Sequence, residues 1–301
     1  MNSFAPVNPA LVDVTLPPSG YLDDGGNTVD VLKDMCGAAS RDFPKDLWIE
    51  PKDWADKARE NDKNRTWGMN YLDRYTNQGS KNGVGSDSHE CTTHSLRANG
   101  EAARNRQRGI IFPDGPKKSF RYEESKMGSV WLSPLSIYAE ANPREWGGAN
   151  VRQVLEIACR RGFLPDKIQP RDYGFKHSLH GTTGAGDNNQ SRGGWISLKN
   201  FPEGWQETAK LLRPEEVIFP DSFEQSVCLV LHSMVCSVGR NGHAVPWAQL
   251  TFNGNDLTGA AYPDSYEITR YDSVRTMRSA WQGSFAIASF TTPGNWSEPA
   301  K

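Results

Sequence analysis

A cysteine attacks a carbonyl as its thiolate, and it needs a base, a group to orient that base, and a donor for the oxyanion that forms. Of the five cysteines, Cys36, Cys91, Cys159, Cys228 and Cys236, Cys91 stands in a setting suited to that chemistry. Residues 76–95 read TNQGSKNGVGSDSHECTTHS: a Gln-Gly-Ser, a glycine-rich loop, then the cysteine at the head of a run that suits a helix to about Gln107. Free N–H groups at a helix N-terminus favour negative charge, so a thiol placed there is partly activated by the local fold alone. Cys159, Cys228 and Cys236 lie in the apolar stretches VLEIACRRG and SVCLVLHSMVCSV and read as small buried hydrophobes. The odd count, the lack of any CxxC pair and the absence of zinc-ligand spacing predict free thiols in a reducing compartment, with no metal and no cofactor.

Six histidines could serve as the base. His94 lies at i+3 from Cys91, beside the thiol's own helix rather than across a cleft; His89 is also close in sequence. His177 and His180 fall in a polar loop and read as solvated. His232, within VLHSMV, reads as a core histidine. His243 differs: in RNGHAVPWAQL a glycine precedes it and a strand follows, which places its ring at the mouth of a sheet.

The elements that must bring these groups together change character along the chain. Residues 1–45 are rich in Pro, Gly and Asp, without a sustained period, and read as an extended arm with one short helix near Thr28–Met35. Such an arm suits contact with neighbouring subunits of an assembly. Helices are expected over Cys91–Gln107, weakened at Gly100, over Pro134–Ala141, and over Ala149–Arg161, where Val151, Val154, Leu155 and Ala158 share a face and Gly162 is the stop. RGIIFP reads as strand-like. GTTGAGDNNQSRGG lacks the Lys-Ser/Thr of a phosphate loop and the strand–turn–helix context of a dinucleotide site, so it reads as a surface loop. Past residue 220 strands dominate: Val227–Leu231, HAVPWAQLTF, SYEITRYDS and GSFAIASF. Helices first and strands later predict an α+β fold of two lobes, the helical lobe over about 46–165 and the β-rich lobe over about 200–290, within a domain spanning 46–301.

Bulk composition narrows the function. A formal net charge of −2 gives no ground for nucleic acid or an anionic membrane as partner. No apolar run nears the roughly 18–20 residues of a bilayer span. The N-terminal MNSFAPVNPALVDVTLPPSG lacks the basic flank and apolar core of a secretory signal, so a cytoplasmic protein, or one within a virus particle, is expected.

At this point the residues resemble a family. NQGS, a cysteine opening a helix, and a distant GHAV strand look like papain-type cysteine peptidases. The resemblance implies a two-lobed fold with the active-site cleft between a helical and an antiparallel β-rich lobe. It also implies Cys91 as nucleophile, His243 as base and Gln78 as oxyanion-hole glutamine, with Gly147 and Gly148 offering extended backbone to a peptide. In SYEITRYDSVRTMRSAWQGSFAI, Asp272 and Ser273 fall where the family pattern has Asn-Ser, and Trp281, Gly283 and Phe285 fit its closing segment. Asp272 would then orient His243. Asn253, Asn255, Asp256 and Asp264 are close enough in sequence to supply that group instead. Departures from the pattern are a longer loop between Gln78 and Cys91, Thr92 where an aromatic residue is usual, and the acid in place of an amide. The function implied is hydrolysis of a peptide or isopeptide bond in a peptide or protein substrate. The alternative is a structural subunit of a large assembly, such as a phage virion, on the same scaffold with an inactive or single-use site; a transferase or amidase could use the same groups.

Overall fold

The computed structural model describes residues 36–75, 91–117, 127–141, 149–166, 168, 198, 201–240, 242–265 and 268–290. The short helix expected near Thr28–Met35, the loop GTTGAGDNNQSRGG and residues Gln78, His89, Gly147, Gly148, His177 and His180 lie outside them.

Seven α-helices occur among the described residues: α1 (Trp54–Asn64), α2 (Cys91–Gln107), α3 (Leu135–Ala141), α4 (Val151–Arg161), α5 (Trp205–Lys210), α6 (Phe223–Leu231) and α7 (Val274–Ala280). A five-stranded sheet runs in the order β1 (Ser40–Asp42), β4 (Pro214–Phe219), β10 (Phe285–Phe290), β5 (Cys236–Arg240), β6 (His243–Trp247). Only the β1–β4 pair is parallel. A second, antiparallel sheet holds β7 (Gln249–Asn253), β8 (Asp256–Asp264) and β9 (Ile268–Ser273), and β2 (Leu132–Ser133) pairs with β3 (Leu164–Pro165). Helices α1–α5 precede the strand-rich part of the chain, β4–β10, among which α6 and α7 are interspersed; the fold is α+β, as the sequence predicts. β1 extends the main sheet into the segment expected to be an arm, with Ser40 opposite Val217.

Helix α2 is buried from Cys91 to Asn105 although its sequence is largely polar. Key polar side chains on it are matched by partners on neighbouring elements, as burial demands. Asn99 Nδ2 donates to Ser237 Oγ and to the Phe285 carbonyl, both at 3.1 Å, while its Oδ1 accepts from Ile287 N at 2.9 Å. One side chain thereby stitches the helix to β5 and β10. Arg97 and Glu101 form a buried ion pair at 2.5 Å, and Glu101 also accepts from Leu132 N at 2.7 Å. Gly100, a weak point by propensity, sits where the helix meets its neighbours: a Cβ there would lie 3.0 Å from Leu132 Cδ1 and 3.1 Å from Phe163 Cζ.

Helix α4 forms as its period predicts. Asn150 caps it, accepting from Gln153 N at 2.6 Å, and Gly162 ends it at φ +95°, where a Cβ would strike the Ala209 carbonyl. Cys159 leaves its apolar helix face toward Cys36, with the two sulfurs 3.5 Å apart and both thiols free.

Two expectations are corrected. Val227–Leu231 belongs to α6, not to a strand: Ser222 Oγ accepts from Gln225 N and starts a helix whose last part, Val227–Leu231, is apolar and buried on every side. RGIIFP forms no strand; Ile110 N closes the end of α2 on the Asn105 carbonyl and Phe112 N bonds the Asn70 carbonyl. Ser273 lies at the end of β9, within the strand expected there, and also caps α7, accepting from Thr276 N at 3.2 Å.

Candidate active site

Cys91 opens α2 and is fully buried. The next residue, Thr92, donates its hydroxyl to the Ala149 carbonyl at 2.8 Å, which ties Ala149 to the start of α2.

His243 is the first residue of β6. Arg240 faces it in register across the β5–β6 pair, so only Asn241 and Gly242 join the strands, and Gly242 has φ +75°. Asn-Gly between alternating strands favours this tight connection because its backbone twist matches that of the flanking strands. The hairpin therefore delivers the ring to a fixed place against the N-terminus of α2. There His243 hydrogen-bonds the Cys91 side chain. Its Nε2 lies 3.1 Å from Asp264 Oδ1, which leaves Nδ1 to the sulfur. Asp264, the last residue of β8, has a second oxygen 2.5 Å from Arg270 Nε, a close ion pair outside the angles of a directed hydrogen bond. Ser265 Oγ donates to Asp264 Oδ1 at 3.3 Å.

The electrostatics favour a charged ring. Burial works against the imidazolium, but the Cys91 sulfur, the hydrogen bond to Asp264 and that carboxylate's charge outweigh it and push His243 up to about 9. Burial also opposes the Asp264 carboxylate. The His243 hydrogen bond and charge, with Arg270 behind them, bring it below the usual carboxylate range. With its folded-state value raised, His243 is protonated at neutral pH and loses its proton only as pH climbs through about 9. An imidazole proton titration by NMR should place its midpoint there; a midpoint near the ordinary value of about 6.5 would show that the sulfur and Asp264 do not act on the ring.

The carboxylate against the His243 ring is Asp264, not Asp272 as expected. Asp272 Oδ2 accepts from Trp247 Nε1 at 2.8 Å, and its Oδ1 lies 2.5 Å from Arg240 Nη2. Burial pushes this carboxyl up despite those partners. It braces the base of β6 and makes no hydrogen bond to the ring. Asp264-Ser265 carries the same acid–serine order as Asp272-Ser273, so that order alone does not choose between them.

Neither His94 nor His232 shares the upward shift of His243. Burial, with Arg97 and Arg74 nearby, holds His94 well below the ordinary histidine range. Burial likewise lowers His232. No group of His, Cys, Asp and Glu among the described residues could hold a metal ion, and no helix there is long and apolar enough to cross a membrane.

No protein-family model and no curated protein matches the sequence. Solved structures do resemble the fold. The chain is similar to xylellain, a cysteine protease from Xylella fastidiosa, with a TM-score of 0.53 and 12% identity over 90% of this chain and 96% of that one. A structure from work on antibody cross-reactivity between the mite allergens Blo t 1 and Der p 1 covers 89% of this chain and 80% of its own at 13% identity, with a TM-score of 0.44. The fold is papain-like: a helical region and antiparallel sheets, with Cys91 and His243 meeting between α2 and β6.

Proposed function

We propose that the protein is a papain-like cysteine peptidase that hydrolyses peptide bonds through Cys91. One observation carries the reading. A helix-terminal thiol, an imidazole and a carboxylate from three separate elements stand in the order nucleophile, base, orienting acid, with the acid 3.1 Å from the ring nitrogen remote from the sulfur.

The chemistry follows from that order. The Cys91 thiolate attacks the scissile carbonyl carbon, and the carbonyl electrons move onto oxygen. Gln78 and the Cys91 N–H hold this oxyanion. His243 passes its proton to the amide nitrogen, the C–N bond breaks and the amine product leaves a thioester on Cys91. A water then gives a proton to neutral His243 and its hydroxide to the thioester carbon. The C–S bond breaks, which releases the acid and restores the thiolate–imidazolium pair. Gly147 and Gly148 present backbone to the substrate, and the Thr92–Ala149 hydrogen bond supports that assignment by fixing the adjoining residue.

The experiment is hydrolysis of a quenched fluorescent peptide library by the full chain. Turnover should appear, stop after treatment with iodoacetamide, and be absent from Cys91→Ser, which is nearly isosteric. A Cys91→Ser protein that cleaves at the parent rate sinks the assignment. The reading as an assembly subunit leaned on an N-terminal arm whose residues 1–35 lie outside the described ones.

A further inference from the structure

We propose that Arg270 is a positioning residue of this site: through Asp264 it fixes the carboxylate that holds His243 and balances its charge. The inference rests on the peptidase reading for its purpose but not for its test. A thiolate at Cys91, an imidazolium at His243 and a carboxylate at Asp264 leave one net negative charge in a place where His243 and Asp264 are each only 1% exposed. Uncompensated buried charge is costly. Arg270 Nε, 2.5 Å from Asp264 Oδ2, supplies the missing cation and makes a row of alternating sign: Cys91, His243, Asp264, Arg270.

Strand geometry explains why this arginine is available. Arg270 faces Tyr262 in the β8–β9 ladder, two residues from the Asp264–Ile268 pair at the hairpin's end. Arg270 and Asp272 alternate onto one face of β9, as residues two apart do in a strand. Each meets an opposite charge: Arg270 meets Asp264, and Asp272 meets Arg240 from β5. The remaining groups here are Cys91 from α2, the Tyr262 hydroxyl, which accepts from Arg240 Nη2 at 2.7 Å, and Ser265 Oγ. Arg240 is already engaged by Asp272 and Tyr262, so Arg270 is the cation in contact with the orienting acid.

The arrangement has a catalytic use. A carboxylate alone would make the imidazolium a reluctant acid, yet His243 must surrender its proton to the departing amine. Neutralising half of that pull brings the ring's proton affinity closer to what the reaction needs, while the same contact keeps Oδ1 aimed at Nε2.

The test is the NMR titration of the His243 ring in the full-length protein, with folding checked by circular dichroism. Arg270→Met removes a cation, so the protonated ring gains and the midpoint should rise by roughly one pH unit. Arg270→Lys, which keeps the charge, should restore most of it; Arg270→Gln gives the same reading as Met should Met fail to fold. In an Asp264→Asn background the shift caused by Arg270→Met should at least halve. The guanidinium side chain, 21% exposed, loses its anchor there and moves into water, where its field is screened. A midpoint that stays put or falls in folded Arg270→Met or Arg270→Gln overturns the proposal. A shift of equal size in both backgrounds does so too, because Arg270 would then act on the ring directly. Absence of any peptide cleavage would defeat the peptidase reading and leave this titration interpretable; cleavage with an unmoved midpoint would spare that reading and remove Arg270 from it.

Discussion

His243→Ala is expected to lower peptide hydrolysis by about 10²–10⁴-fold and to return the Cys91 thiol to slow alkylation at neutral pH. The physical basis is the buried contact of ring and sulfur, with Asp264 holding the opposite nitrogen. Without the imidazole, the thiol loses the cation that stabilises its ionised form, and the leaving amine loses its proton donor. Iodoacetamide labelling followed by mass spectrometry reads the first loss, and peptide turnover the second. If both rates matched the parent, the base would have to be sought elsewhere. Buried His94 is a poor substitute, since the arginines around it oppose its charging.

Glu101→Ala carries the largest expected effect on stability. It strips the partner from Arg97, which is 2% exposed, and removes the acceptor of Leu132 N. Removing one partner of a buried pair costs about 3–5 kcal/mol, because the survivor keeps its desolvation penalty. Asp166 and Arg74 form a second buried pair close by at 2.8 Å, with the Arg74 guanidinium 4.0 Å from the centre of the Trp131 ring. Urea unfolding measures the loss. Glu101→Gln, which keeps an acceptor for Leu132 N, should recover part of it. A drop under about 1 kcal/mol for the alanine variant would mean that the Asp166 charge or water already serves Arg97.

Local signals carried much of the site. Cys91 at a helix start and His243 after Asn-Gly are decided by neighbours in sequence, so both elements were legible. Asp264 was not, because its role depends on how the β8–β9 hairpin lies against β6, a pairing that residue types do not announce. Two acid–serine pairs occur eight positions apart in this chain, and only the hairpin's placement separates them. The later pair drew attention by its likeness to a closing motif, although Asp272 goes to Trp247 and Arg240, and Ser273 to the α7 cap. The apolar run at 227–231 failed for another reason. A short, wholly buried segment shows neither helical nor strand periodicity, and the deciding feature was the Ser222–Gln225 start signal just upstream. Gly100 was read as a weakness of α2, yet it is the condition for that helix to lie against Leu132 and Phe163.

The main sheet is threaded out of chain order. Its middle strand, β10, is the last of the described strands to be synthesised, and it separates β4 from β5. While the ribosome is still short of Phe290, the strand that Asn99 grips from α2 does not yet exist. The nascent polypeptide thus carries its thiol through most of translation without a finished platform for the imidazole. Under the peptidase reading proposed above, competence to cut would come only once β10 is in place, late in translation.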